Sequence, residues 1–159
     1  MFGIAGWLAK PGAEPEPAAL ERMAQAIRHR GPDDCGFHHD PSVGLSLAHL
    51  RLSIIDLSAA SHQPMADAGT GVVLVYNGEL YNFRQLRAEL QSLGQSFASS
   101  GDSEVVLKAY VQWGAECLSR LAGMFALALW DPRSGVLHLA RDPMGMKPLY
   151  YTELPGGLA

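Results

Sequence analysis

Two apolar runs, Met124 to Trp130 and Val136 to Arg141, flank Asp131-Pro132-Arg133-Ser134-Gly135, and this arrangement constrains the fold more than any other stretch. A turn-rich spacer between two such runs reads as a β-hairpin. Strands joined this tightly run antiparallel, because a parallel pair needs a crossover of a dozen or more residues. Elsewhere strand-like and helix-like patterns are mixed without regular alternation, which predicts an α+β fold with largely antiparallel sheets.

Taken in order, Ile4-Ala5-Gly6-Trp7-Leu8 reads as a buried strand whose glycine permits close approach of another backbone or a ligand. Pro17 suits the first turn of a helix that carries Leu20, Met23, Ala24 and Ile27 on one face. Gly31-Pro32 ends it and leaves a charged loop, Arg28 to Asp34. Val43, Leu45 and Leu47 alternate with Gly44, Ser46 and Ala48, the mark of a half-buried strand, and Leu50 to Ile55 carries the apolar run onward. Val72 to Tyr76 is a β-branched strand expected to stop at Asn77-Gly78. Asn82, with Gln85 three residues later, predicts a capped helix start, so this part reads as strand, tight turn, helix. Asp102 and Glu104 fall in the first turn of a further helix, whose Val105, Val106, Ala109, Tyr110 and Trp113 face a core and which Gly114 closes.

Composition narrows the function. A length of 159 residues fits one domain with its own core. The net charge of -4, with scattered Lys and Arg, gives no footprint for nucleic acid. Met1 to Lys10 lack the layout of a signal peptide, and no apolar run approaches the ~20 residues of a membrane span, so a soluble, cytoplasmic protein is expected. Cys35 and Cys117 show no metal-ligand spacing, and no metal site is expected. Cys35 beside the charged loop is the one alternative nucleophile, although no base stands at recognisable spacing from it.

Three further positions can be weighed on their residues alone. Arg51 lies inside an apolar run, where a guanidinium needs an internal carboxylate or else clamps a ligand's carboxylate. Asp102 is explained by the helix dipole alone. Asn77-Gly78 by itself most often marks a hairpin turn.

Read together, Met1-Phe2-Gly3-Ile4-Ala5-Gly6, Arg51-Leu52-Ser53-Ile54-Ile55, Tyr76-Asn77-Gly78-Glu79-Leu80-Tyr81-Asn82, Ser100-Gly101-Asp102 and Arg141 to Tyr151 resemble the glutamine amidotransferase domain of asparagine synthetases, a class II, N-terminal-nucleophile family. The resemblance implies a four-layer αββα sandwich of antiparallel sheets over residues 1–159. It implies that Arg51 and its neighbours Leu52, Ser53, Ile54 and Ile55, with Asn77, Gly78, Glu79 and Asp102, bind L-glutamine, and that Asn77 and Gly78 form the oxyanion hole. It also implies scaffold roles for Arg28 to Asp34 and for Arg141 to Tyr151, the latter toward a following synthetase domain that would hold ATP and Mg²⁺; none of these cofactors is expected in this domain, and a homodimer is left open. The family's nucleophile is a cysteine bared by loss of Met1. Here that position is Phe2, whose ring has no nucleophilic atom, so the domain is expected to be hydrolytically inactive. The alternative is a structural or amino-acid-binding domain of an amide- or lactam-forming enzyme. The bulky second residue is expected to keep Met1 in place, and the ring to fill the glutamine site against walls such as Ile54, leaving no ligand at all. The ending at Leu158-Ala159 reads as a cut before the synthetase domain.

Overall fold

The computed structural model describes residues 2–11, 13, 17–52 and 62–159. Two antiparallel sheets face each other. The first has the order β2-β3-β1-β9-β8, with β1 at Gly3–Ala9, β2 at Asp34–Asp40, β3 at Leu45–Arg51, β8 at Glu153–Leu154 and β9 at Gly157–Leu158. The second has the order β4-β5-β6-β7, from Met65–Ala66, Val73–Leu80, Gly123–Asp131 and Val136–Arg141. Helix α1 (Pro17–Ala26) packs on the outside of the first sheet, and α2 (Phe83–Ser92) and α3 (Asp102–Trp113) on the outside of the second.

Strand periodicity builds three apolar layers from this order. Side chains on a strand alternate between faces, so each buried strand supplies two layers at once. Along β5, Val73 and Val75 meet Leu45, Leu47, Ala128 and Trp130 between the sheets. Their neighbours Leu74, Tyr76 and Leu80 instead meet Leu86, Leu90, Val105 and Val106 of the helices. On the far side, Ala48 and Leu50 of β3 close against Leu20 and Ala24 of α1. The result is the expected αββα sandwich, and each fully buried leucine in it contributes about 1.5–3 kcal/mol.

Several local expectations change. Strand β3 is buried along its whole length rather than half-buried, because α1 covers its outer face. Strand β2 continues directly from the charged loop; it carries little apolar signal of its own and is held by the ladder to β3, from Asp34 opposite Arg51 to Asp40 opposite Leu45. Strand β5 does not stop at Asn77-Gly78 but runs on to Leu80, since β6 continues to pair with it out to Gly123. Asn82 precedes α2 without capping it. Its amide instead donates to Arg120 O at 2.9 Å and accepts from Ala122 N–H at 3.1 Å, tying the helix start to the segment before β6. The hairpin falls where expected, with the Gly135 N–H closing on Asp131 O at 2.9 Å.

Candidate functional site

The inter-sheet layer changes character at one end. On β3 the row Leu45, Leu47 continues with the buried His49 and Arg51. On β5 the row Val73, Val75 continues with Asn77 and Glu79. On β1, Ile4 and Leu8 join the apolar layer, and period two places Phe2 in the same row. Two of the three strands thus turn from apolar to polar side chains together, with Phe2 beside them, and a cavity of about 640 Å³ opens there.

Phe2, Arg51, Leu52, Asn77, Gly78, Glu79 and Asp102 all line this cavity. Ser53, Ile54 and Ile55 lie outside the described residues. Phe2 does not fill the space: its ring rests against the His49 imidazole, centroids 5.5 Å apart, and the cavity remains open beside it. The Phe2 main chain is held from two sides, its N–H donating to Asn77 Oδ1 at 3.2 Å and its carbonyl accepting from Arg30 Nε at 3.3 Å. Arg30 of the charged loop therefore anchors the first strand, while His29 does not line the cavity.

Asn77 is only 3% exposed. With Oδ1 taken by Phe2, its amide nitrogen has no hydrogen-bond partner among the described residues. Gly78 follows, and no side chain fits there: a Cβ would stand 2.6 Å from Met124 O and 2.7 Å from the Tyr76 ring. That ring crosses the face of Gly78 so that its hydroxyl can donate to Asp102 Oδ2 at 3.3 Å. The same oxygen accepts the Leu80 N–H at 2.8 Å. Burial pushes the Asp102 carboxyl above its ordinary value, opposed by these hydrogen bonds and by the amides of its own helix start. The Tyr76 hydroxyl is pushed up as well, by burial and then by the neighbouring Asp102 charge. A half-buried carboxylate with no cationic partner among the described residues is a ready acceptor for a ligand ammonium.

Other lining residues carried no mark in the sequence. His49, 1% exposed, holds its Nε2 3.2 Å from Tyr76 O, and burial pulls its pKa down to about 4, so the ring is neutral near pH 7. Gln63 accepts the Tyr76 N–H at 2.7 Å. Phe83, Met124 and Lys147 are among the other lining residues, so the Arg141 to Tyr151 stretch reaches the cavity rather than serving only as scaffold. Within that stretch Asp142 is the organiser, accepting the N–H groups of Phe125, Met146 and Lys147. Cys35 is half-buried against the α1 layer, with burial raising its thiol pKa, and it does not line the cavity.

An αββα sandwich with its cavity at the start of the first strand is a fold shared with a solved amidotransferase. Glutamine phosphoribosylpyrophosphate amidotransferase of B. subtilis superposes with a TM-score of 0.80 over 99% of this chain and 41% of its own, at 20% identity. In sequence, residues 1–159 match the family described as glutamine amidotransferase domain. The chain belongs to that family. A Mycobacterium tuberculosis protein with the provisional name asparagine synthetase [glutamine-hydrolyzing] is 45% identical over 100% of this chain and 26% of its own length. Asparagine synthetase [glutamine-hydrolyzing] 3 of Bacillus subtilis is 39% identical over 96% of this chain and 25% of its own. Amidase chyE of Penicillium rubens is also 39% identical, over 99% and 25% respectively. The chain spans about a quarter of the length of these relatives.

Proposed function

We propose that this domain binds an amino acid of the glutamine type without hydrolysing it, on an amide-forming protein of the asparagine synthetase kind. One observation carries the reading: the cavity is open, and its lining brings Arg51, Asn77, Gly78 and Asp102 together beside a residue 2 that has no nucleophilic atom. Arg51 takes the ligand carboxylate and Asp102 its ammonium, a pair that selects α-amino acids by charge geometry. The Asn77 amide nitrogen and the Gly78 N–H take the side-chain carbonyl. Hydrolysis would need a nucleophile at the carbonyl carbon, and the phenyl ring supplies none. The Cys35 thiol faces another layer and is held protonated by burial. In the whole protein, ATP and Mg²⁺ belong to a following synthetase domain, which draws on free ammonia or another amine.

The test sets ammonia release from glutamine beside calorimetric titration of glutamine, both on purified protein. Saturable binding with background ammonia release is the expected pair of results. Robust ammonia release would overturn the claim of inactivity, and absence of binding at millimolar glutamine would leave a purely structural domain.

A further inference from the structure

We propose that Gln63 is a positioning residue that fixes the peptide before Asn77 and thereby aims the Asn77-Gly78 donors into the cavity. The inference rests on the amino-acid-binding reading above and adds a residue to it.

The argument starts from the ladder between β5 and β6. Gly78 stands opposite Phe125. The main-chain groups of Phe125 are both taken on the other side, its N–H by Asp142 Oδ2 at 3.1 Å and its carbonyl by the Asp142 N–H at 2.8 Å. Gly78 and Phe125 are therefore a pair without mutual hydrogen bonds, and Gly78 turns its own N–H and carbonyl away from β6. By the same alternation Tyr76 and Leu80 turn theirs to that free edge. Strand β4 covers the edge only as far as Met65 opposite Leu74 and Ala66 opposite Val73.

Beyond β4, side chains replace the missing strand. Gln63 Oε1 accepts the Tyr76 N–H at 2.7 Å, and Gln63 Nε2 reaches back to Tyr76 O at 3.4 Å and donates to Ser103 Oγ at 3.2 Å. The carboxamide of Gln63 thus stands where a neighbouring strand's peptide would stand. His49 adds a second donor to Tyr76 O at 3.2 Å. At the other end the Leu80 N–H is taken by Asp102. Between these two anchors the Gly78 peptide borders the cavity. Gln63 is 3% exposed, and through Ser103 the same amide also touches the turn that carries Asp102. Only an amide can do this: a glutamate would lose the donor, and a methionine both donor and acceptor.

The prediction separates the two ends of a ligand. Norvaline shares the zwitterion of glutamine but carries a methyl group in place of the carboxamide. In the parent chain, calorimetry is expected to show glutamine binding about tenfold or more tighter than norvaline. In Gln63→Met the glutamine affinity falls to near that of norvaline, whose own affinity moves less than about threefold. Equal losses for both ligands, or an unchanged ratio, would overturn the proposal in favour of a general structural role. Equal binding of the two ligands by the parent would instead refute the carbonyl contact itself, and with it this proposal. Should Gln63→Met fail to fold, amide hydrogen exchange on the parent decides: the Tyr76 N–H is expected to exchange at least about a hundredfold more slowly than the Gly78 N–H, and similar rates would sink the idea.

Discussion

Asp102 and Asp131 are both acids at the end of a secondary-structure element, and the fold treats them in opposite ways. Asp131, at the end of β6, is buried and receives Arg133 through Nε, Nη2 and N–H, with the Tyr110 hydroxyl as a fourth donor. The Arg133 hydrogen bonds pull its pKa down to about 2. Asp102, at the start of α3, has main-chain and hydroxyl donors but no ion pair among the described residues, and burial raises its pKa. The first carboxylate is complete within the chain, whereas the second is left short of one positive charge at the wall of a cavity. A residue whose charge is satisfied internally holds the fold together, and one whose charge is not is available to a ligand.

On the proposed reading, the largest change should come from position 2. Expressed from Met1, Phe2→Cys provides both a small second residue that permits methionine removal and the missing sulfur. Ammonia release from glutamine is expected to rise at least about 10³-fold over the parent, as the covalent step returns. Intact mass should show Met1 retained in the parent and absent from the variant. A folded, trimmed variant with no glutaminase activity would mean that the donors around the cavity have drifted from catalytic geometry.

His49 belongs with Asp102, being buried without a counter-charge. Its folded pKa is about 4, below its ordinary 6.5, so between these values the unfolded chain binds more protons. Stability is therefore full above pH 6.5 and falls as pH drops toward 4, by up to about 3 kcal/mol from this one group. Urea melts from pH 7 to 4 should show the loss, and a His49→Gln variant should show a flatter profile over that window. Equal slopes for parent and variant would rule out His49 as the source.

Asp102→Asn comes next. A charge-assisted hydrogen bond contributes roughly 1.5–3 kcal/mol, so amino-acid affinity should fall about 10- to 100-fold by calorimetry. The thermal midpoint should hold or rise, because asparagine can still accept the Leu80 N–H without a buried charge. In the parent, affinity should weaken as pH falls through the raised Asp102 pKa, hence at a higher pH than an ordinary carboxylate would give. A marked loss of stability with unchanged affinity would move Asp102 into the class of Asp131.

How much of this was legible differs between these regions for physical reasons. The hairpin around Asp131 was readable because its period, its turn residues and its partner strand are all local. Around Asp102 the strings Tyr76-Asn77-Gly78-Glu79 and Ser100-Gly101-Asp102 gave the cavity residues through resemblance, yet not their arrangement. Strand β2 has the sequence Asp-Cys-Gly-Phe-His-His-Asp, whose extended form comes from the ladder to β3 rather than from its own propensity. Gln63 and His49 were missed because their partner is the main chain of Tyr76, and a backbone contact from 13 or 27 residues away leaves no pattern in side-chain spacing. The open cavity was missed for a related reason: the volume of Phe2 was foreseeable, but its packing on His49 was not.

The smallest effect is expected at Asp131, and it sharpens the comparison by being confined to stability. The folded pKa of about 2 lies below the ordinary 3.8, so the stabilisation is present above 3.8 and lost as pH falls toward 2. The shift alone corresponds to roughly 2.5 kcal/mol, but the Arg133 side chain is 45% exposed and solvent screens it, so Asp131→Asn should cost about 1 kcal/mol at pH 7. Arg133→Ala should cost a similar amount, and the double variant less than the sum, because both substitutions remove one shared contact. Amino-acid affinity should not move in any of the three, since Asp131 and the cavity-lining Met124 stand at opposite ends of β6, roughly 23 Å apart at the rise of an antiparallel strand. Urea melts at pH 7 and pH 2.5 give the stability arm and calorimetry the binding arm. A binding loss at Asp131 would show that the two carboxylates communicate along β6, and that internal satisfaction does not mark a residue as structural in this fold.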